Sequence, residues 1–410
     1  MKKNLNVPNI NFFLFSIFPI SILLGSFAIN LNILIISLIF IFDLTTKNSK
    51  EIYKDKNFLL LVFFLISLLI NLIFSNNISL SYPRVIKIFF IIFFIISFRQ
   101  LLVTFDRTHM GKLYKVWSIV FSFIIIDLII EYFTGENIIG LKSIMPGARL
   151  ASFTGAESVI GNYFFGFVLI ILSYFHSNFK DKKYLNMSLS IFFIIISFMI
   201  GERANFIKTF IIIILFIFFV YDFKLQSKIL TLVIITLLMT GFLNSNEKYK
   251  SRYFSQISKI FHKNGLTSYL KNSQYGAHYN VAYEIFNDNP FFGVGIKNFR
   301  VESANNKYDN LDHLWNDSRA ASHPHQIHYE FLSETGYFGY ISFLIFISLS
   351  LYWSIKNYLI KKNIYQLSSI FFILASLLPF LPSGSFLSTF TSSIFWINYS
   401  IMIGYNEIKN

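Results

Sequence analysis

The chain has 410 residues, of which 54% are hydrophobic and 14% are charged, whereas a soluble domain carries about 25% charged residues. Its formal net charge is +14, but the lysines and arginines gather between apolar runs, which favours a topology signal over nucleic-acid binding. The absence of cysteine excludes disulfides, thiolate metal sites and a cysteine nucleophile. We therefore expect a polytopic membrane protein with no nucleic-acid partner.

Apolar stretches of about 18 residues recur along the whole sequence, which is typical of transmembrane helices. The predicted fold class is an all-α membrane protein of about 12 transmembrane helices, whose lengths are set by a bilayer core of about 30 Å. The predicted spans are 12–28, 30–43, 57–74, 85–103, 113–133, 156–175, 185–200, 204–221, 228–244, 336–355, 365–380 and 386–404.

The predicted spans divide the chain into three parts. Residues 1–244 hold the first nine spans, residues 245–335 form one large, mainly helical loop, and residues 336–410 hold the last three spans. With a cytoplasmic N-terminus, most lysines and arginines of the short connections fall on the cytoplasmic side. The positive-inside tendency therefore predicts a bacterial inner-membrane protein with both termini in the cytoplasm and the large loop in the periplasm.

A few cations are predicted on the side of the membrane that the positive-inside tendency disfavours. Arg84 and Lys87 start the fourth span, Arg149 precedes the sixth, and Arg203 occupies the tight connection between spans seven and eight. A planar guanidinium that stays charged is well suited to binding a diphosphate. The alternative is that each cation snorkels to lipid phosphates or pairs locally, as Arg203 would with Glu202.

Polar chemistry is concentrated in and near the large loop. Six of the eight histidines lie there: His262, His278, His313, His323, His325 and His328. Histidine exchanges a proton near neutral pH, so one interpretation is a general base that acts on a hydroxyl. The His-x-His spacing also suits zinc, but no acidic residue completes a standard signature, and no metal is expected. The third interpretation is that these histidines only pack within the loop.

Two helices are predicted in this loop. The first covers residues 279–287, where apolar residues recur at helical spacing. The second covers residues 325–335 and leads into the tenth span. Residues one turn apart on the second helix are expected to share a face, and they form the pairs His325 and His328, and Glu330 and Glu334.

Several short motifs, each weak alone, together resemble the O-antigen ligase and O-antigen polymerase superfamily in their order and placement. They are Gly-Glu-Arg (201–203), Arg149…Gly155…Glu157, Asn-Pro-Phe-Phe-Gly-Val-Gly-Ile-Lys-Asn-Phe-Arg (289–300), His-Pro-His-Gln (323–326) and Glu-Thr-Gly-Tyr-Phe-Gly (334–339). The resemblance implies a glycosyltransferase with a GT-C-like helical bundle. Such enzymes take a glycan from undecaprenyl diphosphate at the outer leaflet and need neither a nucleotide sugar nor a cofactor.

The resemblance also implies roles for individual residues. In the family, arginines near the membrane hold the diphosphate, and a loop histidine acts on the acceptor hydroxyl. Carried over to this sequence, the general base is His325, with His323 as runner-up, and the diphosphate-binding residues are Arg203, Arg149 and Arg300.

The sequence departs from the family pattern at residues 275–278, which read Tyr-Gly-Ala-His. Family members often carry an arginine there, so the cation is either missing or replaced by His278. Arg252, further upstream, is a candidate substitute that would bind the diphosphate. Glu334 and Glu157 are expected to support the site.

The leading functional hypothesis is a ligase that joins a finished, lipid-linked glycan to lipid A–core. The alternative within the superfamily is a polymerase, whose acceptor is a second lipid-linked glycan and whose candidate partner is a chain-length regulator. One dominant outer loop, late in the chain, favours the ligase. A transporter or flippase is the alternative from another class, but it predicts inverted repeats and broken helices at mid-membrane, which the sequence does not show.

Overall fold

A computed structural model describes residues 7–47, 55–157, 159–261 and 272–406, together with Gly265 and Thr267. His262, one of the six histidines noted above, lies outside these residues. The described part contains helices and irregular connections, with no strand. Its helices are α1 (Val7–Ser16), α2 (Phe18–Leu23), α3 (Ser26–Lys47), α4 (Lys56–Ile73), α5 (Ile78–Thr104), α6 (Arg107–Thr134), α7 (Ile160–Asn178), α8 (Lys183–Ile200), α9 (Arg203–Val220), α10 (Leu225–Ser245), α11 (Glu247–Phe261), α12 (Gln274–Asp288), α13 (Phe299–Glu302), α14 (Ile327–Lys361), α15 (Ile364–Ser376) and α16 (Thr389–Gly404).

Nine of the described helices are long and apolar enough to cross a membrane, as judged by length and composition: α3 to α10 and α14. Each of them coincides with one of the twelve predicted spans. Their lengths of 18 residues or more match what a hydrocarbon core of about 30 Å requires. The predicted fold class is confirmed: the protein is an all-α, polytopic membrane protein.

The other three predicted spans correspond to shorter helices. Span 12–28 falls on α1 and α2, which are interrupted at Ile17, and Pro19 lies in the first turn of α2. A proline is tolerated there because the first turn of a helix has no partner for its N–H groups. Spans 365–380 and 386–404 fall on α15, with 13 residues, and α16, with 16 residues. Between α15 and α16, residues 377–388 form an irregular segment, called here the α15–α16 segment.

The core of the bundle is centred on α7, which packs against α6, α8, α9, α15 and α16. In the membrane-spanning part of α7, 72% of the residues are buried, whereas in that of α10 only 11% are buried. Because lipid replaces water around a membrane bundle, the exposed, apolar surface of α10 is its lipid-facing side. The central helix of the bundle is therefore α7.

The first predicted loop helix is confirmed as α12, whose apolar face is buried: Val281, Ala282, Ile285 and Phe286. After it, residues 289–326 are mostly turns. The Gly-Val-Gly turn lies against α14, since Val294 N–H donates to the Ser333 carbonyl (3.0 Å) and Gly295 N–H donates to the Glu334 carbonyl (2.9 Å). The loop motif and the start of α14 are therefore one backbone-paired unit.

Gly336 allows this pairing by interrupting α14. Its φ of 60° and ψ of −166° are not helical, and only glycine adopts them at little cost. A Cβ atom at this position would lie 2.5 Å from the backbone carbonyl carbon and oxygen of Phe291. The bend brings Tyr337 N–H to the Pro290 carbonyl (2.7 Å) and Phe338 N–H to the Phe291 carbonyl (3.0 Å).

We predict that Gly336→Ala destabilises the protein by about 2 kcal/mol or more, because the added methyl group meets backbone in a conformation that alanine disfavours. Gly111→Ala is the matched control, since Gly111 lies in α6 with nothing within 4 Å of its Cβ position. It should be neutral or stabilising by about 1 kcal/mol. The thermal unfolding midpoint in detergent measures both, and equal midpoints for the two variants would contradict the assignment of the bend.

Candidate functional site

Three of the predicted diphosphate-binding residues meet around the tight α8–α9 connection. Arg203 begins α9, and its Nη1 donates to the Arg252 carbonyl (3.1 Å). Arg252, on α11, donates from Nε to the Gly201 carbonyl (2.7 Å). The pKa of Arg252 is lowered, first by burial and then by the positive charges of Arg203 and Arg149. These three side chains, called here the arginine cluster, are therefore close enough to repel one another.

Glu202 fixes one member of the arginine cluster. Its Oε1 lies 3.7 Å from Nη2 of Arg149 and accepts the N–H of Gly161 (2.7 Å). Its Oε2 accepts Nδ2 of Asn205 (2.7 Å). Burial raises the pKa of Glu202, while Arg149 and these hydrogen bonds oppose the rise. A buried carboxylate is tolerated only when it is paired and hydrogen-bonded, and here the partners orient Arg149.

Two acidic side chains of α6 hold the connection that carries Arg149. Asp127 Oδ1 accepts the N–H of Ile138 (2.8 Å). Glu131 accepts the N–H groups of Ala151 (3.0 Å) and Ser152 (2.7 Å). Hydrogen bonds from backbone N–H groups to a carboxylate are among the stronger ones in proteins. These hydrogen bonds anchor the backbone of Ala151 and Ser152, just after Arg149, to the end of α6 that the topology prediction places on the outer side.

Three histidines form a second group, called here the histidine cluster. The His325 ring centroid lies 4.1 Å from that of His323 and 5.2 Å from that of His278. His278 Nδ1 is also 3.2 Å from the Arg319 carbonyl. His278 thus lies against His325 rather than among the arginines. Burial lowers its pKa, so it is a poor replacement for the cation of the family pattern.

Burial keeps the other two histidines neutral. The pKa of His323 is lowered to about 3, first by burial and then by the positive charge of Lys297. The pKa of His325 is also lowered to about 3, first by burial and then by His323 and His278. A neutral imidazole can accept a proton, although a group with so low a pKa is a weak base. His323 and His325 therefore have the neutral state that a base requires, and an anion nearby would raise their pKa and make them stronger bases.

The prediction of a helix starting at residue 325 is wrong by two residues. Gln326 caps α14, because its Oε1 accepts the N–H of Tyr329 (3.0 Å), and the helix starts at Ile327. His325 precedes the cap with a φ of 58°, which costs a non-glycine residue about 1–2 kcal/mol. His325 and His328 therefore do not share a helix face. Residues held in such conformations are concentrated at functional sites.

A buried charge network lies beside the histidine cluster, and sequence reasoning did not find it. Lys297 Nζ is 3.6 Å from Glu330 Oε1, and the Ser385 hydroxyl group hydrogen-bonds to both groups. Glu330 Oε2 also accepts the N–H of Phe386 (2.7 Å). Lys297 N–H donates to Glu334 Oε2 (2.8 Å). In the sequence, only the spacing of Glu330 and Glu334, one helical turn apart, indicates this network.

The α15–α16 segment joins the two clusters. Ser383 N–H donates to the His325 carbonyl (2.8 Å), and the preceding carbonyl, that of Pro382, accepts Nζ of Lys208 (2.9 Å). Lys208 lies on α9, the helix that begins at Arg203. Two consecutive residues of the segment therefore connect the helix of the arginine cluster to the backbone of His325.

The remaining predicted residues take other positions. Arg300, on α13, is exposed and acts electrostatically on Arg84 and His323, so it lies on the histidine side. Glu334 is buried under the Gly-Val-Gly turn, and Glu157 is exposed at the end of a 3₁₀ turn. In the residues that the structure describes, no group of three or more His, Asp or Glu side chains is arranged to hold a metal ion.

We predict that the protein loses stability as the pH falls below about 6.5, the ordinary pKa of histidine in an unfolded chain. Between that pH and about 3, His323 and His325 bind protons in the unfolded chain but stay neutral in the folded protein. Unfolding therefore becomes more favourable as the pH falls. The thermal unfolding midpoint at pH 7.5 and at pH 5 measures the loss.

His325→Gln should reduce this loss between the two pH values. His109→Gln is the control, because the His109 side chain is half exposed beside Asp106, and it should keep the wild-type difference. A His325→Gln protein with an unchanged pH dependence would contradict the buried, neutral state of His325.

The comparisons with known proteins bear on the middle of the chain. The family described as O-antigen ligase matches residues 187–344, a range that holds Arg203, Arg252 and the histidine cluster. No curated protein matches the chain. Over residues 187–344, the resemblance to the O-antigen ligase superfamily that the sequence motifs indicated is therefore confirmed.

Proposed function

We propose that the protein is an O-antigen ligase-type glycosyltransferase. It moves a glycan from undecaprenyl diphosphate to an acceptor hydroxyl of lipid A–core, at the periplasmic face of the bacterial inner membrane. In this proposal both termini are cytoplasmic and residues 245–335 are periplasmic. The family match supports glycan transfer in general, and the preference for the ligase over the polymerase comes from the single large loop late in the chain.

The observation that carries the proposal is the meeting of Arg149, Arg203 and Arg252 at the end of the bundle where the α15–α16 segment binds the His325 carbonyl. Glu202 offsets part of the repulsion among the three guanidinium groups, and a second anion would offset more of it. A diphosphate supplies one, and its oxygens match the planar fork of arginine. In this proposal His325, whose carbonyl the α15–α16 segment binds, takes the proton of an acceptor hydroxyl beside the bound donor.

The proposed reaction is a displacement at the anomeric carbon. The acceptor oxygen forms a bond to that carbon while the bond from the carbon to the diphosphate oxygen breaks, and the electron pair leaves with the diphosphate. The arginine cluster stabilises this departing charge. The acceptor proton passes to His325, with His323 as the alternative base, and inversion at the anomeric carbon is expected.

Donor binding would also correct the weakness of His325 as a base. Burial, and then the neighbouring His323 and His278, hold the pKa of His325 near 3 in the free protein. A diphosphate placed nearby favours the protonated imidazole and therefore raises that pKa. In this proposal the base becomes effective only when the donor is present, so water is activated less in its absence.

We predict that Arg203→Ala lowers the transfer rate about 10²- to 10³-fold, the usual effect of removing one charge-stabilising donor. His325→Ala should lower it about 10²- to 10⁴-fold, the usual contribution of a general base. Transfer of lipid-linked glycan to lipid A–core in reconstituted vesicles measures both. Lys228→Ala and His109→Ala are the controls and should keep the wild-type rate. Intact transfer in both Arg203→Ala and His325→Ala would refute the roles proposed for these residues, and an absence of transfer with the wild-type protein would refute the enzyme and favour a transporter.

A strain that lacks the protein distinguishes the ligase from the polymerase. We predict lipopolysaccharide with core but no O-antigen, and long glycan chains left on undecaprenyl diphosphate, because the missing step follows polymerisation. A lipopolysaccharide gel, read with an extract of lipid-linked intermediates, measures this. Lipopolysaccharide capped with a single repeat unit would instead mean that the protein is the polymerase.

A further inference from the structure

A small cavity with an apolar wall and several polar side chains lies between the arginine cluster and the histidine cluster. The start of α9, the end of α15, the α15–α16 segment, α7 and α16 supply its polar lining: Asn162, Asn205, Lys208, Ser376, Ser383 and Thr391. Phenylalanine rings and Ile327 form the rest of the wall. No residue of this lining was singled out by the sequence motifs. The cavity is therefore an unassigned feature at the centre of the candidate site.

Lys208 is a buried cation whose charge Glu202 offsets only from a distance too long for an ion pair. The side chain is only 3% exposed, and its ammonium group donates to the Pro382 carbonyl (2.9 Å). Among the described residues, no carboxylate lies within 4 Å of that nitrogen as an ion pair. A carbonyl dipole offsets only part of the cost of burying a full charge. An ionisable residue inside a span is kept, as a rule, for a function.

The cavity also holds hydrogen-bonding capacity that is not used within the described part of the chain. The Ser383 hydroxyl oxygen is buried and has no hydrogen-bond partner among the described residues. Asn162 Nδ2 reaches the Thr391 hydroxyl only at 3.4 Å, which is long for a hydrogen bond. A buried hydroxyl without a partner is destabilising, so a ligand that accepts a hydrogen bond from it would remove that cost.

The position of the cavity relates it to the donor. Lys208 follows Asn205 by three residues on α9, about 4.5 Å deeper along the helix axis. Asn205 holds Glu202, the partner of Arg149. On the other side, Ser383 N–H binds the His325 carbonyl. An anion held by the arginine cluster would therefore have Lys208 below it and His325 beside it.

We propose that Lys208 and Ser383 form an anion subsite that binds a phosphate of the polyprenyl diphosphate donor. The ammonium group supplies charge and a donor, and the Ser383 hydroxyl supplies a second donor. The choice of donor rests on the proposed function. The anion subsite itself rests on the buried ammonium group of Lys208 and the unpartnered hydroxyl group of Ser383 among the described residues, and inorganic pyrophosphate is its simplest probe.

The test is direct binding of undecaprenyl diphosphate and of inorganic pyrophosphate to the full-length protein in detergent or nanodiscs. Lys208→Met should weaken undecaprenyl diphosphate binding about tenfold or more, as expected for a hydrogen bond to a charged group. Lys208→Arg should recover most of the loss, and Ser383→Ala should weaken binding about threefold. Lys228→Met is the matched control, since Lys228 also donates to a backbone carbonyl, that of Phe218 (2.9 Å), and it should bind like the wild type.

The outcomes separate the two proposals. Wild-type binding that Lys208→Met leaves unchanged would overturn the subsite but not the glycosyltransferase. Lys208-dependent binding of pyrophosphate without binding of undecaprenyl diphosphate would support the subsite and overturn the proposed donor. If Lys208→Met lowers the thermal unfolding midpoint, Lys208→Arg and Ser383→Ala decide, and wild-type binding in Ser383→Ala together with loss in Lys208→Arg would overturn the subsite.

Discussion

The backbone of residues 382 and 383 is the connection on which the candidate site depends. One carbonyl binds the ammonium group of Lys208 on α9, and the next N–H binds the carbonyl of His325. These two hydrogen bonds are what connects this segment to both α9, which starts at Arg203, and the turn that carries His325. The two hydrogen bonds therefore connect both clusters to one short stretch of backbone.

Buried charges hold this segment and its surroundings in place. Glu330 binds both Ser385 and the N–H of Phe386, and Lys297 neutralises Glu330. Glu202 plays the equivalent part for Arg149. Such pairs contribute little net stability, since desolvation offsets their attraction, but removing one partner leaves a costly unpaired charge. Their main consequence is a defined geometry at the polar end of an apolar bundle, which a reaction on a lipid-linked substrate requires.

The sequence predicted the bundle well because hydrophobic runs are local signals. Nine spans coincide with nine described helices, and the apolar face of α12 is buried as its spacing indicates. The arginines predicted to face outward were singled out because the positive-inside tendency disfavours cations on that side. Their family roles remain proposals, and Arg300 lies with Arg84 and His323 rather than in the arginine cluster.

The features that sequence reasoning missed depend on contacts between distant residues. The α15–α16 segment is rich in leucine and phenylalanine, so it was divided between two spans, although Pro379, Pro382 and Gly384 signal an irregular backbone. Lys297 and Ser385 are far apart in the chain, and nothing local indicates their meeting. The start of α14 was misplaced because the glutamine cap at residue 326 is not among the strongly preferred capping residues.

The most direct measurement is an experimental structure of the protein with undecaprenyl diphosphate bound. The account predicts that the diphosphate oxygens lie about 3 Å from guanidinium nitrogens of the arginine cluster, with the lipid oxygen that would carry the glycan facing His325. A diphosphate bound on another flank of the bundle, with His325 turned away from it, would contradict the account.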